Sequence, residues 1–469
     1  MNKLERIFNP RSVAVVGSKQ ADNYGWLKTF LPFQGPKYSI NVDRNEWAGA
    51  EALGFPGYAS VLDVPGEIDF VVISVPAQIV PRVLRDCIAK KVAGVHLFTA
   101  GFGETGTEEG IRLGQEIESM AKEAGLNLVG PNCLGVYNPK IGVGVNLGGG
   151  YYGEAGNFAV ISQSGSQTMG LTRGAMAHGI TISKAVSMGN GIILDSPDYL
   201  EYYAQDEDTH AIGMYLEGVR DGRRFFTTLR DVCAKKPVLV WKVGETEDAA
   251  RAVASHSTSG TSEATVWDAL VHQAGAIKVD SGDELIEVTK LLLRMPPTGG
   301  SRLALLALSG GHATEMANVF SKEGFSVPTL TEESYKRILE KFDLVGGSYR
   351  NPIEGRTMFN DESMNNVLDA LNEDKNTDII VHEVKVDVQG GAPSLYRRHG
   401  VDFFSDFRAR AKKPYVMALD TAEFPQAEPE ASVDVYRQLT EAGIPTLFGL
   451  QRTAAALRKV VDYYRYRTL

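Results

Sequence analysis

The chain has 469 residues, of which 43% are hydrophobic and 23% are charged, and this composition is typical of a globular protein with about three domains of ~150 residues. The formal net charge of -10 argues against a nucleic-acid partner, because phosphate backbones are bound by clustered Lys and Arg. No apolar run approaches the ~18 residues that span a bilayer, and the amino terminus lacks the pattern of a signal peptide. We therefore expect neither a nucleic acid nor a membrane as a partner.

The three cysteines, Cys87, Cys133 and Cys233, are scattered and form no CxxC pair. This spacing fits neither a disulfide framework nor a thiolate metal site, and it is typical of a reducing compartment. The histidines also lack metal-ligand spacing. We predict a cytoplasmic protein with no metal site in this chain.

Short runs rich in Val and Ile alternate with amphipathic segments in the first part of the chain. The runs cover residues 13–16, 38–42, 69–75, 94–98 and 127–129. Runs of this kind are typical of buried parallel strands joined by crossover helices. They predict an α/β domain of the Rossmann type over residues 1–146.

The same alternation starts again twice. Residues 147–153 contain four glycines and predict a joint, after which strands are expected at 158–161, 182–186, 211–216 and 238–243. The Pro- and Gly-rich residues 294–300 predict a linker before a third set of strands. We interpret residues 154–294 and 301–469 as two flavodoxin-like, doubly wound domains.

The first predicted strand ends in Gly17, Ser18 and Lys19. A helix that begins after such a turn can hold a phosphate with its backbone N–H groups. The spacing is not GxGxxG, so the turn alone is weak evidence for a nucleotide. Asp43 lies where a dinucleotide-binding fold places a ribose-binding acid, which leaves a nicotinamide cofactor open.

A second turn of small polar residues follows the predicted strand 158–161. Ser162, Ser164 and Gly165 precede a helical segment, and their N–H and O–H groups form a candidate phosphate site. A simple helix cap by a serine is the structural alternative. The third predicted domain begins with a similar turn that contains Gly310 and Gly311, followed by His312.

His256 lies in a loop of hydroxyl-bearing residues and glycine, at residues 254–262. A role in core packing explains it poorly, because the loop offers the imidazole no apolar neighbours. We interpret His256 as a nucleophile that accepts a phosphoryl group. Glu217, at the end of the predicted strand 211–216, is the candidate carboxylate that orients the ring, although an exposed loop acid is the alternative.

These segments resemble the NDP-forming acyl-CoA synthetases of the succinyl-CoA synthetase superfamily. Four ordered segments carry the resemblance in the first domain, at residues 9–18, 75–77, 100–104 and 130–135. The turn at 162–165, the strand end at 215–218 and the Ser255-His256 pair carry it in the second. The resemblance extends to about Arg465 and implies the α-type subunit of such an enzyme.

The resemblance also implies roles for individual residues. Gly17, Ser18 and Lys19 would lie by the phosphates of coenzyme A, Val75 and Pro76 beside its adenosine or pantetheine, and Asn132 near the thiol. The turns at Ser162, Ser164 and Gly165 and at Gly310 and Gly311 would hold phosphate beside His256.

The family reaction interconverts acyl-CoA, phosphate and ADP or GDP with a carboxylic acid, CoA and ATP or GTP. It proceeds through an acyl phosphate and a phosphohistidine. No Gly-x-x-x-x-Gly-Lys-Ser/Thr loop is present to bind the nucleotide. We therefore expect a hetero-oligomer in which a β-type ATP-grasp subunit binds the Mg-nucleotide.

Two other functions remain open at this stage. The first is a CoA-binding regulatory protein without catalysis, which the substitutions around His256 and at His312 permit. The second is an NAD-dependent oxidoreductase, which Asp43 permits. The oxidoreductase would leave His256 without a role.

Overall fold

The computed structural model describes residues 3–144, 153–254, 264–355, 360–384, 388–389, 392–393, 399–419 and 428–468. Contacts within the chain divide it into two units, residues 1–285 and 286–469. The division falls inside one helix, Gly282–Arg294.

The first sheet has six parallel strands in the order β3-β2-β1-β4-β5-β6. Its strands are β1 (Val13–Val16), β2 (Lys37–Ile40), β3 (Gly57–Tyr58), β4 (Phe70–Ile73), β5 (Gly94–Leu97) and β6 (Asn127–Val129). β1, β4 and β5 are buried along their whole length, as expected for strands that are covered on both faces. The order is that of a Rossmann fold, so the predicted fold of this region is confirmed.

Helices cover this sheet, and the sequence explains where several of them begin and end. They are α1 (Glu5–Phe8), α2 (Gly25–Lys28), α3 (Trp47–Ala52), α4 (Val80–Lys90) and α5 (Glu108–Ala124). Thr107 caps α5 by accepting a hydrogen bond from the Gly110 N–H, and Gly125 ends the helix in a left-handed conformation.

The second sheet has seven strands in the order β13-β12-β11-β9-β10-β7-β8. These are β7 (Gly135–Asn138), β8 (Val143–Gly144), β9 (Phe158–Ser162), β10 (Ile182–Ser187), β11 (Ala211–Leu216), β12 (Val238–Lys242) and β13 (Ile277–Val279). The five parallel strands from β9 onward follow the flavodoxin-like order 2-1-3-4-5. Its helices are α6 (Gly165–Ala177), α7 (Ser196–Gln205), α8 (Gly222–Cys233), α9 (Glu247–Ala254), α10 (Ala264–Gln273) and α11 (Gly282–Arg294).

The strands β7 and β8 show how the first two sheets are joined. Their residues were expected in the domain 1–146, yet β7 pairs antiparallel with β10 and so extends the second sheet. One hydrophobic cluster also contains side chains from both regions, and within it the rings of Phe8 and Tyr202 stack with centroids 4.9 Å apart. The boundary at residue 146 therefore stays a prediction, and the joint at 147–153 lies mostly outside the described residues.

The unit 286–469 contains a five-stranded parallel sheet in the order β15-β14-β16-β19-β20. Its strands are β14 (Leu303–Ala307), β15 (Ile353–Glu354), β16 (Ile379–Val384), β19 (Tyr415–Leu419) and β20 (Thr446–Phe448), while β17 (Val388–Gln389) and β18 (Ala392–Pro393) form a separate pair. Its helices are α12 (Gly310–Lys322), α13 (Glu332–Leu339), α14 (Asp361–Glu373), α15 (Val401–Arg410), α16 (Glu428–Glu441) and α17 (Leu450–Thr468). The order is again flavodoxin-like, which confirms the predicted fold class.

Within the described parts of the chain, no helix combines the length and the apolar character that a membrane span requires.

Candidate active site

The turn after β1 is built around Gly17. This residue has a φ of +93°, and a Cβ added to it would lie 2.3 Å from the Ser74 carbonyl oxygen, so only glycine fits. Ser18 is 1% exposed, and its hydroxyl forms no hydrogen bond to any residue that the structure describes. A buried donor of this kind fits a turn that receives a polar ligand group.

The element after this turn differs from the expectation. A 3-10 turn over Gln20–Asp22 follows Lys19, where the sequence predicted the start of a helix. Lys19 is exposed, and its backbone N–H is bonded to the Asp22 carboxylate at 3.2 Å. The candidate anion donors are therefore a glycine turn, the Ser18 hydroxyl and the Lys19 side chain rather than a helix dipole.

The residues predicted to border CoA lie on neighbouring strand ends. Thr99 links two of them, because its hydroxyl donates to the Val75 carbonyl at 2.7 Å and its own carbonyl accepts the Asn132 N–H at 3.0 Å. A Cβ on Gly17 would also lie 2.6 Å from the Val75 side chain. The structure thus brings Gly17, Val75 and Asn132 to one edge of the first sheet, and Pro76 lies exposed beside Val75.

Glu104 also lies at this edge and was not identified as a functional residue from the sequence. One of its carboxylate oxygens accepts the Gly101 and Phe102 N–H groups at 2.7 and 3.1 Å, and the other accepts the side-chain amide of Asn190 at 2.6 Å. Glu104 therefore fixes the loop after β5 to the loop after β10.

Asp43, the residue that left a nicotinamide cofactor open, has a local structural role. Its carboxylate accepts the Asn45 N–H at 3.0 Å and so caps a 3-10 turn at Arg44–Glu46. An Asx-type cap accounts for an acid at this position without a ribose.

The turn after β9 holds the predicted phosphate-binding serines. The Ser162 hydroxyl donates to the Ser164 carbonyl at 2.9 Å, and the Ser164 hydroxyl accepts the Gln167 N–H at 3.4 Å as the cap of α6. Ser164 thus serves as a helix cap, the alternative reading of its sequence. The cap and an anion site are compatible, because the first turn of a helix has several N–H groups without intrahelical partners.

Glu217 follows β11, next to this turn. The side-chain oxygen of Gln163 accepts the N–H groups of Glu217 and of Gly218, the latter at 3.0 Å. Burial raises the pKa of Tyr215 to about 12, and the negative charge of Glu217 contributes to this shift. The structure therefore brings Glu217 and the Ser162–Gly165 turn together, with Gln163 as the connecting residue.

Lys242 is a further charged group at this edge. It ends β12, lies beside Leu216 in the pairing of β11 with β12, and is 5% exposed. Burial lowers its pKa, while the charges of Glu245 and Glu217 oppose that shift. The sequence signal that could have identified Lys242 was its position at the end of a predicted strand.

His256, the predicted nucleophile, lies outside the described residues.

The turn after β14 carries a different set of groups. Gly310 and Gly311 are exposed at the start of α12, and Ser309 makes no side-chain cap bond. His312 Nδ1 lies 2.8 Å from a carboxylate oxygen of Glu383, whose side chain is fully buried, and the other oxygen accepts the Leu308 N–H at 3.1 Å. Glu383 was not identified from the sequence.

In the part of the chain that the structure covers, no group of three or more His, Cys, Asp or Glu side chains is arranged to hold a metal ion.

Comparison with known proteins identifies both regions of the first unit. Residues 11–139 match a family model described as a CoA binding domain, and residues 155–292 match a succinyl-CoA ligase like flavodoxin domain. CoA, rather than a nicotinamide dinucleotide, is thus the ligand of the matching family.

Curated relatives extend the match over the whole chain. The chain is 31% identical over 473 residues to the acetate–CoA ligase [ADP-forming] I subunit alpha of Pyrococcus furiosus, covering 99% of this chain and 98% of that subunit. It is 35% identical over 381 residues to acetate–CoA ligase [ADP-forming] I of Archaeoglobus fulgidus. That match covers 81% of this chain and 54% of the relative, so the chain spans about half the length of the latter protein.

A solved structure has the same fold over the same length. It is the dinucleotide forming acetyl-coenzyme A synthetase 1 of Ca. Korarchaeum cryptofilum in complex with phosphate and ADP, with a TM-score of 0.85 and 28% identity. The match covers 100% of this chain and 98% of the other. The chain is therefore an α-type member of the ADP-forming acyl-CoA synthetases, a family of acid–thiol ligases.

Proposed function

We propose that this chain binds CoA on the edge formed by Gly17, Val75 and Asn132 and passes a phosphoryl group through His256 to a nucleotide on a partner subunit. The observation that carries the proposal is the Gln163 side chain, which joins the Ser162–Gly165 turn to the backbone of Glu217. This contact supports the proposal because it connects the turn of the candidate phosphate donors to the strand end that carries Glu217, and α/β folds bind ligands at strand ends.

The proposed reaction has three steps. Phosphate attacks the thioester of an acyl-CoA, so that the carbon–sulfur bond breaks and free CoA and an acyl phosphate form. A ring nitrogen of His256 then displaces the carboxylate from phosphorus, which releases the acid. Finally ADP takes the phosphoryl group and ATP forms.

Each group has a defined part in these steps. The N–H groups of the first turn of α6, which begins at Gly165, stabilise negative charge on phosphate. Glu217 stabilises the positive charge that develops on the imidazole of His256.

The remaining parts of the proposal concern the assembly and its location. A β-type ATP-grasp subunit supplies the Mg-nucleotide site in a hetero-oligomer. The relative named as a subunit alpha supports a separate partner chain. A cytoplasmic location agrees with Cys87, Cys133 and Cys233, which are buried and form no disulfide bond.

Phosphoryl labelling tests the central residue. The chain with acyl-CoA and labelled phosphate, or with its β-type partner and Mg-ATP, should give an acid-labile, base-stable adduct. His256→Asn should abolish it, because the amide has a similar size but cannot carry a phosphoryl group. His210→Asn, which changes an exposed histidine elsewhere in the same unit, is the matched control. If the wild-type chain binds CoA but is never labelled, the CoA-binding regulatory role becomes the better account.

The CoA edge is tested separately by calorimetry on the full chain. Gly17→Ala should weaken CoA binding by at least about tenfold, because the new methyl group would push against the Ser74 carbonyl. Gly66→Ala is the control, since Gly66 also has a positive φ, +75°, but has no atom within 4 Å of an added Cβ. Equal CoA affinity of the wild type and Gly17→Ala would place the CoA site elsewhere.

A further inference from the structure

A cavity lies inside the unit 286–469, away from the strand-end turn of its sheet that was described above. Its volume is 390 Å³, which is within the range of about 300–1,000 Å³ for small-molecule sites. It is formed where α11 ends, where α15 ends and where β19 begins. The residues that line it include Leu293, Arg294, Met295, Pro296, Arg408 and Lys413.

The charged side chains of this lining are all positive. Arg294 is the last residue of α11, Arg408 lies in α15, and Lys413 precedes β19. The lining residues that the structure describes include no Asp or Glu. Burial lowers the pKa of the Arg294 guanidinium; Tyr436 opposes this shift, and the charge of Arg408 adds to it. Cations that are partly removed from water and repel each other are stabilised by an anion placed between them.

The hydrogen bonds show which cation can contact a ligand. Arg408 donates one N–H to the Arg294 carbonyl at 2.7 Å, and a guanidinium has five donors in a planar fork. Lys413 instead directs its ammonium to the Leu371 and Asp374 carbonyls and the Thr377 hydroxyl. Arg294 donates an N–H to the Thr440 carbonyl. Arg408 is therefore suited to direct contact, while Arg294 and Lys413 contribute charge.

We propose that this cavity binds a phosphate-bearing small molecule, with the guanidinium group of Arg408 on its phosphate and the positive charge of Arg294 beside it. Arginine forks match the oxygen geometry of phosphate and bind it through paired, charge-assisted hydrogen bonds. The apolar residues Leu293, Met295 and Pro296 also line the cavity, and apolar lining beside a phosphate favours a nucleotide over free phosphate. This site is independent of CoA binding and of His256.

The position of the site gives the ligand a structural effect. Arg294 is the last residue of α11, and Arg408 lies near the end of α15. A phosphate bound by Arg408 beside Arg294 would connect the two helix ends. Binding should therefore stabilise the unit 286–469 by an amount that grows with the logarithm of the ligand concentration once this exceeds the Kd.

Calorimetry on the full-length chain tests the proposal, with the chain first saturated with CoA so that the glycine turn after β1 is not the site that is measured. ADP and pyrophosphate are the two probes. We expect one additional site per chain, with an affinity that Arg408→Gln lowers at least about tenfold. Tighter binding of ADP than of pyrophosphate assigns a nucleotide, and equal binding assigns a free polyphosphate; both results support phosphate recognition.

The matched control is Arg410→Gln, on the same helix, because the Arg410 side chain bonds to Asn365 and Asp369 and does not line the cavity. Arg410→Gln should bind both probes like the wild type. Arg408→Lys, which keeps the charge, should lose less affinity than Arg408→Gln, and thermal unfolding of each variant checks the fold. The proposal would be overturned if neither ADP nor pyrophosphate binds, or if the Arg408→Gln variant binds like the wild type.

Discussion

The turns after β9 and after β14 occupy the same position in two sheets with the same strand order, yet their groups differ. In the first, Ser164 caps the following helix, and Gln163 holds the backbone of the next strand end. In the second, Ser309 makes no cap bond, the glycines are exposed, and a His312–Glu383 pair lies behind them. The same topology thus supports a turn built by hydroxyl and amide groups and one built by an imidazole and a buried carboxylate.

The largest expected effect comes from removing the connection that is specific to the first turn. Gln163→Leu leaves the N–H groups of Glu217 and Gly218 without the oxygen that accepts them, at a cost of about 1–3 kcal/mol for each donor that stays buried. Glu217 should shift, and phosphoryl labelling should slow by at least about tenfold. Gln167→Leu is the control, because Gln167 bonds to Ser164 through its backbone N–H. Labelling at the wild-type rate would show that Gln163 does not position Glu217.

Replacing glycine by alanine should change the free energy of unfolding in opposite directions at the two helix starts. A Cβ on Gly165 would lie 2.9 Å from Leu134 Cγ, whereas an added Cβ on Gly311 has no atom within 4 Å. Gly165→Ala should therefore lower the free energy of unfolding by about 1–3 kcal/mol, while Gly311→Ala should raise it by up to about 1 kcal/mol through helix propensity. Chemical denaturation measures both. A loss of stability in Gly311→Ala comparable to that in Gly165→Ala would remove the proposed difference.

The imidazole–carboxylate pair should stabilise only the second turn. His312→Ala removes one partner of the buried Glu383 carboxylate, and we expect a loss of about 1–2 kcal/mol in the free energy of unfolding. Thr314→Ala, at an exposed position two residues further along α12, should change stability by less than about 0.5 kcal/mol. Equal stabilities of these two variants in urea denaturation would show that the pair adds nothing to the fold.

The smallest effect distinguishes the two serines that precede α6 and α12. Ser164→Ala removes a side-chain cap bond to the Gln167 N–H and should cost about 1 kcal/mol. Ser309→Ala removes no cap bond, so its effect should stay within about 0.5 kcal/mol. Thermal unfolding of the pair measures the difference, and an equal loss in both would indicate that Ser309 also caps its helix.

The sequence by itself determined the fold class and the strand-end turns that carry the candidate site residues. Short runs of Val and Ile, interrupted by glycine turns, predict buried parallel strands because strand side chains that face two covering layers must be apolar. The strand-end turns at Gly17, Ser162 and Gly310 follow from the same pattern, since each run ends in small or polar residues. The glycine at 17 is required by a local backbone conformation, which a sequence records directly.

Only the tertiary structure decided which residues meet. Gln163 and Glu217 are 54 positions apart, His312 and Glu383 are 71 apart, and the cavity beside Arg408 depends on the ends of three separate elements. β7 pairs with the second sheet although it follows the first in the chain. Pairing and side-chain contacts between distant segments depend on how layers pack, and periodicity within one segment carries no information about its neighbours in space.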